Sequence, residues 1–157
     1  MNFREDEAIK AKSHFAVSVA VSGILFLLFR SMRISLWSFI GGTLIDIDHI
    51  YDYARHPNRD PLHRINLRQF FSLCYNDGLH KVYLLLHSWE LVAAVLIYGA
   101  VYPPIGTFLV PLGFGMGIHL LLDAMTNPIT VVEYSFAVRL SYRFSSQKFY
   151  KRRGVSE

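Results

Sequence analysis

The chain has 157 residues, of which 52% are apolar, 15% aromatic and only 18% charged, where a soluble domain carries about 25% charged residues. That length fits a single domain over residues 1–157, and the composition leans towards a membrane protein. A net charge of +4 suits contact with anionic lipid or nucleic acid, while the single cysteine, Cys74, excludes an internal disulfide framework and a cysteine-rich zinc site.

Before the first apolar run, the acidic Glu5-Asp6-Glu7 and the missing small-residue cleavage site argue against a signal peptide. Four apolar stretches then follow in order: Phe15–Phe29, Ile34–Ile50, Val82–Val101 and Ile105–Met125. A bilayer-spanning helix needs about 20 apolar residues. The last two stretches reach that length, and the first two approach it only by taking in polar residues at one end. Arg30–Arg33 reads as a tight turn, Tyr51–Lys81 as a long polar loop and Tyr102-Pro103-Pro104 as a short break. The predicted fold is all-α: a four-helix transmembrane bundle with a cytoplasmic loop between helices 2 and 3. Every Lys and Arg except Arg30 and Arg33 precedes helix 1, lies in the long loop or follows helix 4. The positive-inside rule therefore predicts a multi-pass inner-membrane protein with both termini in the cytoplasm. Val131–Phe149, with Arg139, Arg143 and Lys148 and the following Lys151-Arg152-Arg153, predicts an amphipathic basic C-terminal segment on the lipid surface or packed on the bundle. Basic tails beside membranes are ordinary, so nucleic acid is the less favoured partner and membrane lipid the favoured one.

Ionisable groups inside membrane helices cost roughly 2.5–3.5 kcal/mol each, so each one demands a reason. Here they recur at one level: His14 opens helix 1, Asp46, Asp48 and His49 end helix 2, His87 and Glu90 lie early in helix 3, and His119 and Asp123 lie late in helix 4. Residues three or four apart share a helix face, which pairs Asp46 with His49, His87 with Glu90 and His119 with Asp123. Imidazoles mixed with carboxylates suit zinc first, with manganese or iron as alternatives, and inward side chains of facing helices are a known way to build such sites. The expected metal ligands are His14, Asp46, Asp48, His49, His87, His119 and Asp123. These seven exceed the needs of one tetrahedral ion, so either two ions share them or some orient the others. Glu90 is the expected general base. Asp52, His56 and His63, in the long loop, are expected in solvent.

The run Leu44-Ile45-Asp46-Ile47-Asp48-His49, then His87-Ser88, then His119 to Pro128 with Asp123 within it, preceded by an early His14, resembles the membrane-bound metal-dependent hydrolases, a family with an SOS-regulated inner-membrane member. The same elements are distantly similar to zinc-dependent phospholipase C. Three positions depart from the family pattern: Ile45 replaces a Pro, Leu86 replaces a Thr, and Val82-Tyr83-Leu84 stands where a His-Arg-Gly triplet is usual. His80, one heptad before His87, falls on about the same face but is not counted among the expected ligands. The resemblance implies phosphoester or lipid-like substrates.

Together these readings favour a metal-dependent hydrolase holding one or two divalent ions at the cytoplasmic side of the membrane. The alternative is a non-enzymatic membrane protein that transports or senses metal ions or protons, its buried His and Asp groups serving as path residues. A soluble helical bundle is the third reading, supported by the short first stretch.

Overall fold

The computed structural model describes residues 3–55, 82–127 and 130–145, with side chains from residue 13 onwards. His56, His63, His80 and the basic residues from Lys148 to Arg153 lie outside the described residues. The described chain is all-helical: α1 (Phe3–Phe29), α2 (Met32–Leu44), a 3-10 turn (Ile45–Ile47), α3 (Asp48–Ala54), α4 (Trp89–Val101), α5 (Pro103–Thr126), a second 3-10 turn (Val131–Tyr134) and α6 (Phe136–Ser141).

Local chemistry sets these ends. Between α1 and α2 the backbone of Arg30 turns through a positive φ of 52°, and Ser31 then caps α2 by accepting from the Ile34 N–H. Pro103 and Pro104 open α5, where a missing N–H costs nothing. The predicted third helix is shorter than its apolar stretch. Ser88 caps α4 by accepting from Leu91 N–H at 3.2 Å, so 82–88, His87 included, precedes the helix. Helix 2 also ends early: after Leu44 the chain tightens into a 3-10 turn and re-enters α3.

Helices α2 and α5 make the most extensive interface, with α4 on the other side of α5 and α1 against α2. Their contact is backbone on backbone. A Cβ added at Gly115 would lie 2.0 Å from the Ser38 carbonyl oxygen, and one at Gly41 would lie 2.1 Å from that of Leu112. Ser18 Oγ donates to the Gly42 carbonyl at 3.0 Å and Ser35 Oγ to the Ser22 carbonyl at 2.8 Å, tying α1 to α2. A small apolar core of Ile45, Val92, Met116, Leu120 and Tyr134 sits beside these crossings.

Small polar residues and glycines are buried at the crossings, while many large apolar side chains are exposed. Ser18, Ser22, Ser38 and the interface glycines are buried, while Leu27, Leu28, Phe29, Met32, Ile97, Val101 and Met125 are each more than 60% exposed or close to it. Among the described residues one helix, α5, with 24 residues and a mean hydropathy of 1.8, is long and apolar enough to cross a membrane; the apolar helices Ser13–Phe29 and Trp89–Val101 are shorter.

Candidate metal centre

Five elements deliver the cluster. His14 comes from α1, Asp46 from the 3-10 turn after α2, His49 from the first turn of α3, His87 from the extended residues before α4, and His119 with Asp123 from α5. Their ligand atoms form two groups: His14, His119 and Asp123 in one, Asp46, His49 and His87 in the other, with all ligand atoms of a group within 4.8 Å of one another. The carboxylates join the groups. Asp46 Oδ1 is 3.7 Å from His49 Nε2 and 3.3 Å from Nε2 of both His87 and His119. Asp123 Oδ1 is 3.5 Å from His14 Nε2, while its Oδ2 is 3.5 Å from His87 Nε2 and 3.6 Å from His119 Nε2.

The tautomers follow from the partners behind the rings. His119 Nδ1 lies 2.8 Å from the Gly42 carbonyl oxygen; a carbonyl only accepts, so Nδ1 carries a hydrogen and in the neutral ring Nε2 presents a lone pair to the cluster. His87 Nδ1 lies 3.0 Å from Asp48 Oδ1, which fixes that ring in the same sense. Both Nε2 atoms are buried without a hydrogen-bond partner. Buried acceptors converging on carboxylate oxygens, which themselves only accept, lack a proton or cation between them. A divalent ion fits that deficit, and the donor set of imidazole and carboxylate suits zinc, manganese or iron. Asp46 is the most exposed member of the cluster: its side chain is 42% exposed, whereas that of His87 is 1% exposed.

Two expected members take other places. Asp48 stands behind His87, where its Oδ2 accepts from Leu86 N at 2.8 Å and His87 N at 3.3 Å, so it orients the His87 ring and is outside both groups. Glu90 does not share a direction with His87, because Ser88 separates the extended residues from α4. Its carboxylate instead accepts from Ser135 Oγ, from Phe136 N at 2.9 Å and from Ala137 N at 3.2 Å, capping α6. A carboxylate so occupied is not placed to act as the general base expected from its spacing.

Sequence reasoning missed two residues. Asp52, expected in solvent, is 2% exposed; its Oδ2 accepts from Tyr83 N at 3.0 Å and Leu84 N at 3.2 Å. The i,i+4 spacing from Asp48 was the available signal, since it puts both carboxylates on the face turned to the His87 segment. Arg139, expected on the polar face of an amphipathic tail, is 2% exposed and donates from Nη2 to the His87 carbonyl at 2.7 Å. Burial holds its guanidinium below the ordinary arginine value, against the opposing pull of Asp48, Glu90 and Asp52.

Burial pushes the Asp52 carboxyl up to about 6, the hydrogen bonds from Leu84 and Tyr83 N–H opposing the shift only in part. A raised carboxyl value means that ionisation is disfavoured in the folded chain. Its contribution is therefore full where Asp52 is protonated in both states, below about pH 4, and is lost as the pH rises to about 6. Asp52→Asn is expected to remove a loss on the order of 2–3 kcal/mol across that window. Thermal melts of both proteins in detergent between pH 4 and 7 check this: a stability difference that does not change with pH would place the titration elsewhere.

No protein-family model, curated protein or solved structure matches this chain.

Proposed function

We propose that this chain is a multi-pass membrane protein that binds divalent metal, zinc first, and hydrolyses a phosphoester or lipid-like substrate at the cytoplasmic face. The observation that carries the reading is the convergence of four imidazoles and two carboxylates, from α1, the α2–α3 junction, the residues before α4, and α5, on shared oxygen atoms.

His14, His119 and Asp123 would hold one ion and Asp46, His49 and His87 a second, with Asp46 and Asp123 within reach of both groups. When bound, such ions supply Lewis acidity towards water and a phosphoryl oxygen. The chain's own contribution is positional. Gly42 and Asp48 set the imidazole tautomers, and the partly exposed Asp46 marks the side from which a substrate enters. The phosphoester class rests on the resemblance of the Asp-x-Asp-His, His-Ser and His-x3-Asp elements to membrane-bound hydrolases.

Membrane embedding is supported by the exposed leucines and phenylalanines and by buried Ser and Gly at the crossings, the pattern of helices packed in lipid. Helices of 13 residues such as α2 and α4 extend only about 20 Å at 1.5 Å per residue, short of a hydrocarbon core of about 30 Å. In a bilayer their site ends would lie below one surface, near which α1 and α5 continue. The charge distribution assigns that surface to the cytoplasm.

The test is purification in detergent followed by metal analysis and an assay with bis-p-nitrophenyl phosphate and with phospholipids. Co-purifying zinc, hydrolysis abolished by chelation, and recovery on adding zinc are the expected results. Protein that stays monodisperse in buffer without detergent would end the membrane reading, and protein that takes up no divalent metal would end the catalytic one.

A further inference from the structure

The seven residues before α4 lie outside any helix, yet one of them, His87, belongs to the cluster. Side chains supply the pairing. Asp52 Oδ2 accepts from Tyr83 and Leu84 N–H, and Asp48 Oδ2 accepts from Leu86 and His87 N–H. The chain between these anchors is bent through a positive φ of 39° at Leu84, a conformation that a branched residue keeps only when its surroundings impose it. The two carboxylates therefore hold four of the segment's N–H groups, and the carbonyl of His87 is held from elsewhere.

Arg139 holds it. Its Nη2 is 2.7 Å from that oxygen, and the side chain is 2% exposed. Its Nε and Nη1 are buried without hydrogen-bond partners, so the guanidinium is kept here at a cost in desolvation that a merely space-filling residue would avoid. Two carboxylates that accept from the segment's N–H groups and one guanidinium that donates to its carbonyl make a frame of opposite charges around it. Asp48 and Asp52 come from α3, whereas Arg139 comes from α6, more than fifty residues further along the chain.

We infer that Arg139 is a positioning residue of the metal centre: from α6 it clamps the His87 carbonyl and so completes the frame that aims the His87 imidazole at Asp46 and Asp123. The inference rests on the proposed metal reading for its consequence, but the clamp itself is a property of the chain. It makes α6 more than a tail. The elements from Val131 to Phe144 are tied to the same segment by Val82 N donating to the Phe144 carbonyl at 2.9 Å and by Trp89 Nε1 donating to the Val131 carbonyl at 2.9 Å. Arg139 alone among these ties reaches the residue that carries a ligand.

The experiment compares full-length wild type, Arg139→Met and Glu90→Gln in detergent. Glu90→Gln loosens α6 at its N-terminus without touching His87. Two quantities are read: zinc affinity by competition with a chromophoric chelator, and hydrogen exchange of the 82–88 peptide in chelator-treated protein. Arg139→Met is expected to weaken zinc binding by about 10-fold or more, the range for losing a group that orients a ligand, and to speed exchange in 82–88. Glu90→Gln is expected to stay within about 2-fold of wild type on both, as expected for a partly exposed surface cap. If Arg139→Met does not fold, Arg139→Lys, which keeps the charge but loses the planar fork, is expected to show a smaller loss in the same direction. Zinc affinity and exchange both at wild-type values in the Arg139 variant, or a Glu90→Gln variant that reproduces its defects, would overturn the clamp. A wild type that binds no zinc would instead defeat the metal reading, and the exchange comparison would still decide whether Arg139 holds the segment.

Discussion

Asp123→Asn loses zinc affinity by about 100-fold or more, because one carboxylate there faces three imidazoles. Its Oδ1 meets His14, its Oδ2 meets His87 and His119, and each of those rings is buried. The amide keeps the shape of the side chain but removes its charge, and a neutral oxygen compensates a buried cation far less than a carboxylate does. The loss exceeds the 10- to 100-fold typical of orienting partners because Asp123 would itself be a ligand in one group and is in contact with a ring of the other. Isothermal titration of zinc into chelator-treated wild type and variant measures it. The variant should keep its helical circular dichroism, since α5 has ample apolar contacts elsewhere, and affinity equal to wild type would remove Asp123 from the centre.

Gly115→Ala costs more than about 3 kcal/mol, beyond the usual 1–3 kcal/mol for overpacking. The new Cβ would stand 2.0 Å from the Ser38 carbonyl oxygen and 2.9 Å from the Gly42 nitrogen. Both are backbone atoms of α2, so no side chain can swing aside and the two helices must part. Parting them also withdraws the Gly42 carbonyl from His119 Nδ1, so stability and zinc affinity fall together. Gly23→Ala is the internal control: nothing lies within 4 Å of its added Cβ, and an exposed helical position gains up to about 1 kcal/mol from the exchange. Thermal unfolding in detergent separates the two, and equal melting temperatures for Gly115→Ala and wild type would show that α2 and α5 do not meet as closely as described.

Much of the cluster was legible in the sequence because helical periodicity is local. The i,i+4 pair His119 and Asp123 and the i,i+3 pair Asp46 and His49 need only a regular or nearly regular turn to face one way, and they stand 3.6 Å and 3.7 Å apart. His87 and Glu90 had the same spacing and separated, because that inference assumed a helix running through both. A serine hydroxyl at position 88 stopped α4 one residue short of His87, and the ring was then aimed by Asp48 while Glu90 went to α6. Capping is also local, but which of several candidate serines caps is decided by what the preceding residues can pair with.

Asp52 and Arg139 show the other boundary. Each looked like a solvated charge by its neighbours in sequence, and each is buried because a distant segment without regular hydrogen bonds supplied partners that water otherwise would. The sequence by itself determined the all-helical character of the described residues, the apolar stretches and the set of imidazoles and carboxylates brought to one end of them. Only the tertiary structure decided which carboxylates meet the rings, which ones orient them, and that an arginine from the last described helix holds the His87 backbone. The physical reason is range: turn geometry acts over four residues, whereas the pairing of a buried polar group depends on whatever the fold brings within about 3 Å of it.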